Sequence, residues 1–285
     1  MKFIYISALA ILTLSSCGNT EGAEIINSEK QTTVKASKGL DVPDIIENNQ
    51  DRVLAFYEVI STKKQKDLFN LISSNFKSHS LPGLGSVSDL KNYLISDSKD
   101  LTIKPLRSIQ MGNTILTHSI YASKENKIVL DIATFVKGRI TTIDHYSQPF
   151  SKSNISGNSI IYGPSEVVDV SKTGLHIGVI KKFMQAAVVG DSPNDIHTGI
   201  NDNYVEHSPY LELGGNSLEN RFVYSSNPKK ENKIKYDTVV NIYGEGNFII
   251  THCTGNINGT EKDIIDVFRM ERNKISEHWD ILSDK

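Results

Sequence analysis

Residues 112–119 read GNTILTHS and residues 246–253 read GNFIITHC, so nearly one octapeptide stands twice in the chain. The likeness continues on both sides of it. An apolar stretch with helical spacing, Val53-Leu54-Ala55-Phe56-Tyr57 through Val59-Ile60, is matched by Val179-Ile180-Lys181-Lys182-Phe183 through Ala187-Val188. Asn75-Phe76-Lys77-Ser78-His79-Ser80 is matched by Asn203-Tyr204-Val205-Glu206-His207-Ser208. A short helical segment follows each, Ser88 to Leu94 and Ser217 to Phe222. The pattern then turns to strands. IVLDIATFVKGRITTIDHY and IIDVFRMERNKISEHWDIL each read as two strands joined by a tight turn, at Lys137-Gly138 and Arg272-Asn273. The offset between matched residues drifts along the chain: 126 positions from Tyr57 to Phe183, 128 from His79 to His207, 134 from His118 to His252 and 135 from Asp131 to Asp266. Loop insertions in a duplicated domain produce such drift. The sequence therefore predicts a domain of roughly 110 residues present twice, over 45–150 and 172–285, a unit too long for a solenoid. Residues 151–171 read as a Ser/Asn/Gly-rich connector with a candidate short strand at Val167–Val170.

Hydrophobic residues make up 38% of the chain and charged residues 22%, a balance that supports packed cores. The net charge of −2 gives no basis for nucleic-acid binding, which needs a concentrated basic face. The N-terminus reads as a targeting segment. Lys2 precedes the 12-residue apolar run FIYISALAILTL, too short to cross a bilayer and of the length of a signal-peptide core. Leu14-Ser15-Ser16-Cys17 follows it and resembles the bacterial lipobox. That resemblance implies a signal peptide over 1–17, palmitate-type acylation of Cys17, and a chain held to the lipid bilayer of the cell envelope. Asn19 rather than Asp follows at the second position, which implies the outer membrane in a Gram-negative host. Residues 18–44 read as a flexible tether with a reach of about 28 Å. Once Cys17 is acylated, Cys253 stands alone, so neither a disulfide nor a cysteine metal site is expected. Cys253 reads as a buried small hydrophobe.

The order helix, helix, short strand, helix, long antiparallel strands is α+β. With these residues both copies resemble the nuclear transport factor 2-like superfamily, in particular the SnoaL-like cyclases and ketosteroid isomerase. The second copy is the closer, through Asp266-Val267-Phe268-Arg269 and Lys274-Ile275-Ser276-Glu277-His278-Trp279-Asp280, which resemble a SnoaL-like terminal hairpin. The resemblance implies two tandem cone-shaped α+β barrels, each a curved antiparallel sheet wrapped around N-terminal helices over one deep pocket. It also implies sites. Ketosteroid isomerase uses a carboxylate base, a Tyr hydroxyl and a protonated Asp. Position by position, the base's place falls to His79 and His207, the Tyr to Tyr57 (Phe183 in the second copy), and the Asp to Asp131 and Asp266. The second copy adds His278 and Asp280, where the first has Ile143 and His145. Neither copy reproduces the isomerase set.

Two readings follow. In the first, the chain binds a small carbonyl compound and performs aldol condensation, isomerisation or dehydration without a cofactor. His207 is the base, and Asp266, kept neutral by an apolar wall including Phe183 and Phe268, donates to the developing enolate. In the second, it is a non-catalytic module for a hydrophobic or amphipathic ligand or a protein partner. Strand alternation puts Ser276, His278, Asp280 and Leu282 on one face and Ile275, Glu277, Trp279 and Ile281 on the other. The first set is assigned to the pocket and the second to an outer sheet face that mediates an intrachain pseudo-dimer or a homodimer. The opposite assignment buries Trp279 in the core and turns His278 and Asp280 to water. For the octapeptide histidines, turn positions put His118 level with Asp131 and His252 one residue off Asp266, which leaves their faces open. No metal-ligand spacing lies on a single element, so a site from His207, His252 and Asp266 is not expected.

Overall fold

The computed structural model describes residues 48–79, 83–96, 101–151, 154–189, 197–212, 214–223 and 234–285. Cys17, the segment 1–17 and the tether 18–44 lie outside the described residues. The first copy runs α1 (Asn49–Thr62), α2 (Gln65–Leu71), β1 (Ile72–His79), α3 (Val87–Ile95), β2 (Thr102–Met111), β3 (Thr114–Ala122), β4 (Lys127–Val136) and β5 (Arg139–Pro149). The second runs α4 (Thr173–Val189), β6 (Ile200–Glu206), α5 (Gly215–Val223), β7 (Ile234–Glu245), β8 (Phe248–Ile257), β9 (Thr260–Glu271) and β10 (Lys274–Asp284). The two sheets have matching orders, β1-β5-β4-β3-β2 and β6-β10-β9-β8-β7. The duplication read from the octapeptide is thus a duplication of topology. Each sheet is mixed, not wholly antiparallel, because β1 and β6 lie parallel to β5 and β10 at one edge.

Local chemistry sets the elements. α1 begins where Asn48 and Asp51 cap each other reciprocally, at 3.0 and 3.3 Å. It buries Val53, Phe56, Tyr57 and Ile60, one helical stripe. Both hairpin turns predicted from the sequence form. Lys137 and Gly138 have φ of 49° and 71°, Arg272 and Asn273 φ of 53° and 62°, so both central residues are left-handed, as two-residue hairpins require. Curvature comes from bulges, at Pro105/Arg107 and Thr134/Phe135 in the first sheet and at Tyr236/Thr238, Val239/Asn241 and Ile275/Glu277 in the second.

Three apolar clusters result. One lies between helices and sheet in each copy, including Tyr57, Val129 and Ala133 in the first and Phe183, Ile264 and Phe268 in the second. The third joins the outer faces of the two sheets, with Leu130 and Ile132 against Ile265, Val267, Trp279 and Ile281. Trp279 is therefore buried in a sheet-to-sheet contact inside one chain, and these outer faces are already covered by each other. Cys253 is buried in the second core, as expected.

The connector is threaded into this junction. Trp279 Nε1 donates to the Tyr162 carbonyl at 3.0 Å, and Arg107 donates to the carbonyls of Tyr162 and Pro164 at 2.9 and 3.3 Å. Gly163 adopts φ of +106°, and a Cβ there would overlap the Trp279 ring. The candidate strand at Val167–Val170 does not form. Val168 instead exchanges bonds with Asn247, both 2.9 Å, and a 3-10 turn follows at Val170–Lys172. The backbone there pairs with a turn, which offers no ladder to extend.

Candidate functional site

The two sheet faces differ in what they hold. In the first copy, the inner face carries Asp131 and, opposite it on β5, His145. His145 Nδ1 lies 2.8 Å from Asp131 Oδ1, while the hydroxyls of Tyr57 and Tyr121 donate to Oδ2 at 2.8 and 2.5 Å. All four are buried. Burial and the Asp131 charge push both phenols well up, so they stay protonated donors. The expected meeting of Tyr57 and Asp131 is present. Tyr121 was missed, although it is in phase with Ile115 on the inner face, and His145 stands where the second copy has Asp280.

His79 does not join this group. It ends β1 with its side chain 62% exposed, 2.5 Å from Asp144. Asp144 neighbours His145 on β5 and so points to the other face. The inward residue of β1 is Ser78. The sequence alignment of functions was one residue out of phase, which reverses a strand's faces.

The second copy shows the same slip. Glu206, matched to Ser78, points inward and is buried, and His207 lies outside the sheet. His207 stacks on Trp279, with ring centroids 4.6 Å apart and planes 6° from parallel. Its Nε2 lies 2.9 Å from Glu277 and its Nδ1 2.9 Å from the Ser159 carbonyl. His207 and Asp266 thus stand on opposite sides of one sheet, and the proposed base–acid pair does not exist. His207 N–H donates to the His278 carbonyl, continuing the β6–β10 ladder, so after the inward Glu206 alternation puts His207 on the outer face.

Asp266, His278 and Asp280 do share the inner face, as alternation predicts, although the bulge after Ile275 returns that residue to the inner core as well. His278 bridges two carboxylates, Nδ1 at 2.9 Å from Glu206 and Nε2 at 3.0 Å from Asp266. Arg221, from α5, pairs with Asp280 and reaches Asp266 at 3.3 Å. Tyr236 donates to Asp266 at 3.0 Å, Thr251 at 3.3 Å, and Ser208 donates to Asp280 at 2.9 Å. Asp280 Oδ1 and Arg221 Nε have no hydrogen-bond partner among the described residues. Burial alone would push Asp266 up, but Arg221 and the bonds from His278 and Tyr236 hold it below the usual carboxylate range. The expectation of a neutral Asp266 fails because cations, not only Phe183 and Phe268, surround it. Burial opposes charge on His278, yet Glu206 and Asp266 raise it to about 9. Asp280 is raised, because burial and Glu206 outweigh Arg221 and His278. Arg221 and Glu206 were missed. Each left a signal: Arg221 stands on the buried stripe of Leu218 and Phe222, and Glu206 in phase with the inward Ile200 and Tyr204.

The octapeptide histidines both face outward. His118 pairs with Leu130 and His252 with Ile265, so each is one residue off its Asp, and the expected level pairing of His118 with Asp131 is corrected to Thr117. His118 Nδ1 accepts from Arg107 at 2.6 Å, and burial, Arg107 and His207 keep it neutral. His252 bonds Asp263 at 2.8 Å, so His207, His252 and Asp266 do not converge.

The raised His278 has a consequence for stability. A group raised above its unfolded value of about 6.5 stabilises fully below that pH, and its contribution is lost as pH rises through about 9. Urea midpoints are expected to fall between pH 7 and 10, and His278→Asn to flatten that slope. A wild-type midpoint unchanged over this range sinks the assignment.

No family model matches the chain, and no curated protein does. Solved structures with similar arrangements include an NTF2-like protein of unknown function from Burkholderia xenovorans, 23% identical, covering 40% of this chain and 88% of that one with a TM-score of 0.32. Another, from Cytophaga hutchinsonii, is 16% identical and covers 42% and 95%, with a TM-score of 0.32. A SnoaL-like polyketide cyclase from Agrobacterium tumefaciens is 11% identical and covers 36% and 93%, with a TM-score of 0.31.

Proposed function

We propose that the chain is a lipid-anchored binding module of the bacterial cell envelope, held by acylated Cys17, which takes up a small hydrophobic or amphipathic compound without turning it over. The observation that supports binding over chemistry is that the inner ionisable groups are occupied with one another. His278 is held between Glu206 and Asp266, and Asp266 is shared with Arg221, Tyr236 and Thr251, so both groups are fully buried and bonded within the protein. A groove of about 460 Å³ offers the ligand a place, within the size range of small-molecule sites. Ile234, Ile257 and Leu282 line it from the open ends of the second sheet, Ile155 from the connector and Tyr210 from the loop after β6. One observation favours the alternative of cofactor-free acid–base chemistry on a carbonyl compound: two tyrosine hydroxyls converge on a single Asp131 oxygen.

Native mass spectrometry of the chain from residue 18 onward is expected to show a bound small molecule, lost on Ile155→Glu. The full chain is expected in the membrane fraction, and Cys17→Ser to release it. A ligand recovered chemically altered supports the catalytic alternative. A ligand-free spectrum, with no dye binding at the groove, removes the binding reading.

A further inference from the structure

We infer that the groove between the two copies binds the single aliphatic chain of a fatty acid, with the carboxylate held at Lys262. The inference rests on the binding reading and adds the ligand's chemistry. The groove is distinct from both cone interiors, because Ser147 to Pro149 at the end of β5 form one wall and the second copy forms the other. Its apolar lining is mainly branched and aliphatic, Ile155, Ile234, Ile257 and Leu282, with Tyr210 as the aromatic exception. Such walls suit a flexible methylene chain, whereas planar rings gain most from aromatic faces. Ile155 is 66% exposed, so a bound chain would remove substantial apolar surface from water.

The polar wall selects the head group. The Gln148 amide is occupied at both ends: it donates to the Asp280 carbonyl at 3.0 Å and accepts from the Leu282 N–H at 2.9 Å. It closes the edge of β10 beyond β6 and is itself buried, at 2% exposed. Among the described residues that line the groove Lys262 is the cation, with its side chain 19% exposed, and it pairs with Asp284, whose side chain is 84% exposed. A pair this open contributes little. A carboxylate entering with a buried chain can therefore take the place of Asp284.

The test titrates the chain from residue 18 onward, which contains every described residue of both copies, with dodecanoate and with dodecanol. Binding of one dodecanoate per chain is expected, with dodecanol about tenfold weaker for want of a charged hydrogen bond. Lys262→Gln is expected to weaken dodecanoate about tenfold and leave dodecanol unchanged, erasing the difference. Ile155→Glu, at an exposed connector position, is expected to weaken both. Equal binding of the two by the unaltered chain, or dodecanoate binding indifferent to either substitution, overturns the assignment. An anilinonaphthalene sulfonate dye separates the two levels. If it binds in an Ile155-dependent way while dodecanoate does not bind, the fatty acid is wrong and the groove remains a ligand site. If neither binds, both readings fall.

Discussion

Replacing Asp266 with alanine is expected to lower the unfolding free energy by about 3–5 kcal/mol, a large part of what a domain possesses. Asp266 is fully buried and is the acceptor that Arg221, His278, Tyr236 and Thr251 share. Removing it leaves a guanidinium and an imidazolium in a sealed interior with one compensating charge fewer. The loss comes mainly from stranded partners rather than from the missing side chain. A second substitution therefore distinguishes the mechanism. Arg221→Met in the Asp266→Ala background should recover part of the loss, because it removes a stranded cation. Urea denaturation followed by circular dichroism measures both. A single-substitution loss below about 1 kcal/mol would mean the network does not hold the second cone together.

Trp279→Ala is expected to cost about 3–5 kcal/mol by the same measurement, for a different reason. The indole fills the centre of the sheet-to-sheet junction, touched by the His207 ring and by the Arg107 guanidinium 4.1 Å from its centroid. Its N–H also holds the Tyr162 carbonyl. Truncation opens a cavity and removes one of the bonds that hold the connector in the junction. Arg107, which burial draws down to about 9 with Glu277 opposing, loses the ring face on which its guanidinium rests. Trp279→Phe, which keeps much of the volume and loses the donor, should fall between the two. Equal stability of Trp279→Ala and the unaltered chain would show that the copies do not depend on this contact.

Both effects arise from the tandem arrangement. The outer face that could have joined two chains joins two halves of one, so Trp279, Glu277 and His207 serve the junction. The inner faces diverged. In the first copy one carboxylate is satisfied by two phenols and an imidazole, and in the second three carboxylates are set against a guanidinium and an imidazolium. The same scaffold position, Asp131 or Asp266, thus carries different electrostatics in each copy.

The sequence by itself determined the duplication, the α+β order, both tight hairpin turns and that His278 and Asp280 share a face opposite Trp279. These follow from periods of 2 and 3.6 and from turn residues, which are local properties of the chain. It did not determine the side of the sheet for His79 and His207, because a strand's phase at its last residue depends on its neighbour's register. Nor did it show that Arg221 meets Asp266 across 45 residues of sequence, or that the connector is clamped by Arg107 and Trp279. Those contacts exist only after two curved sheets are closed and packed back to back. Whether Asp266 is an acid or an ion was decided there, by which charges the folded chain brings to it.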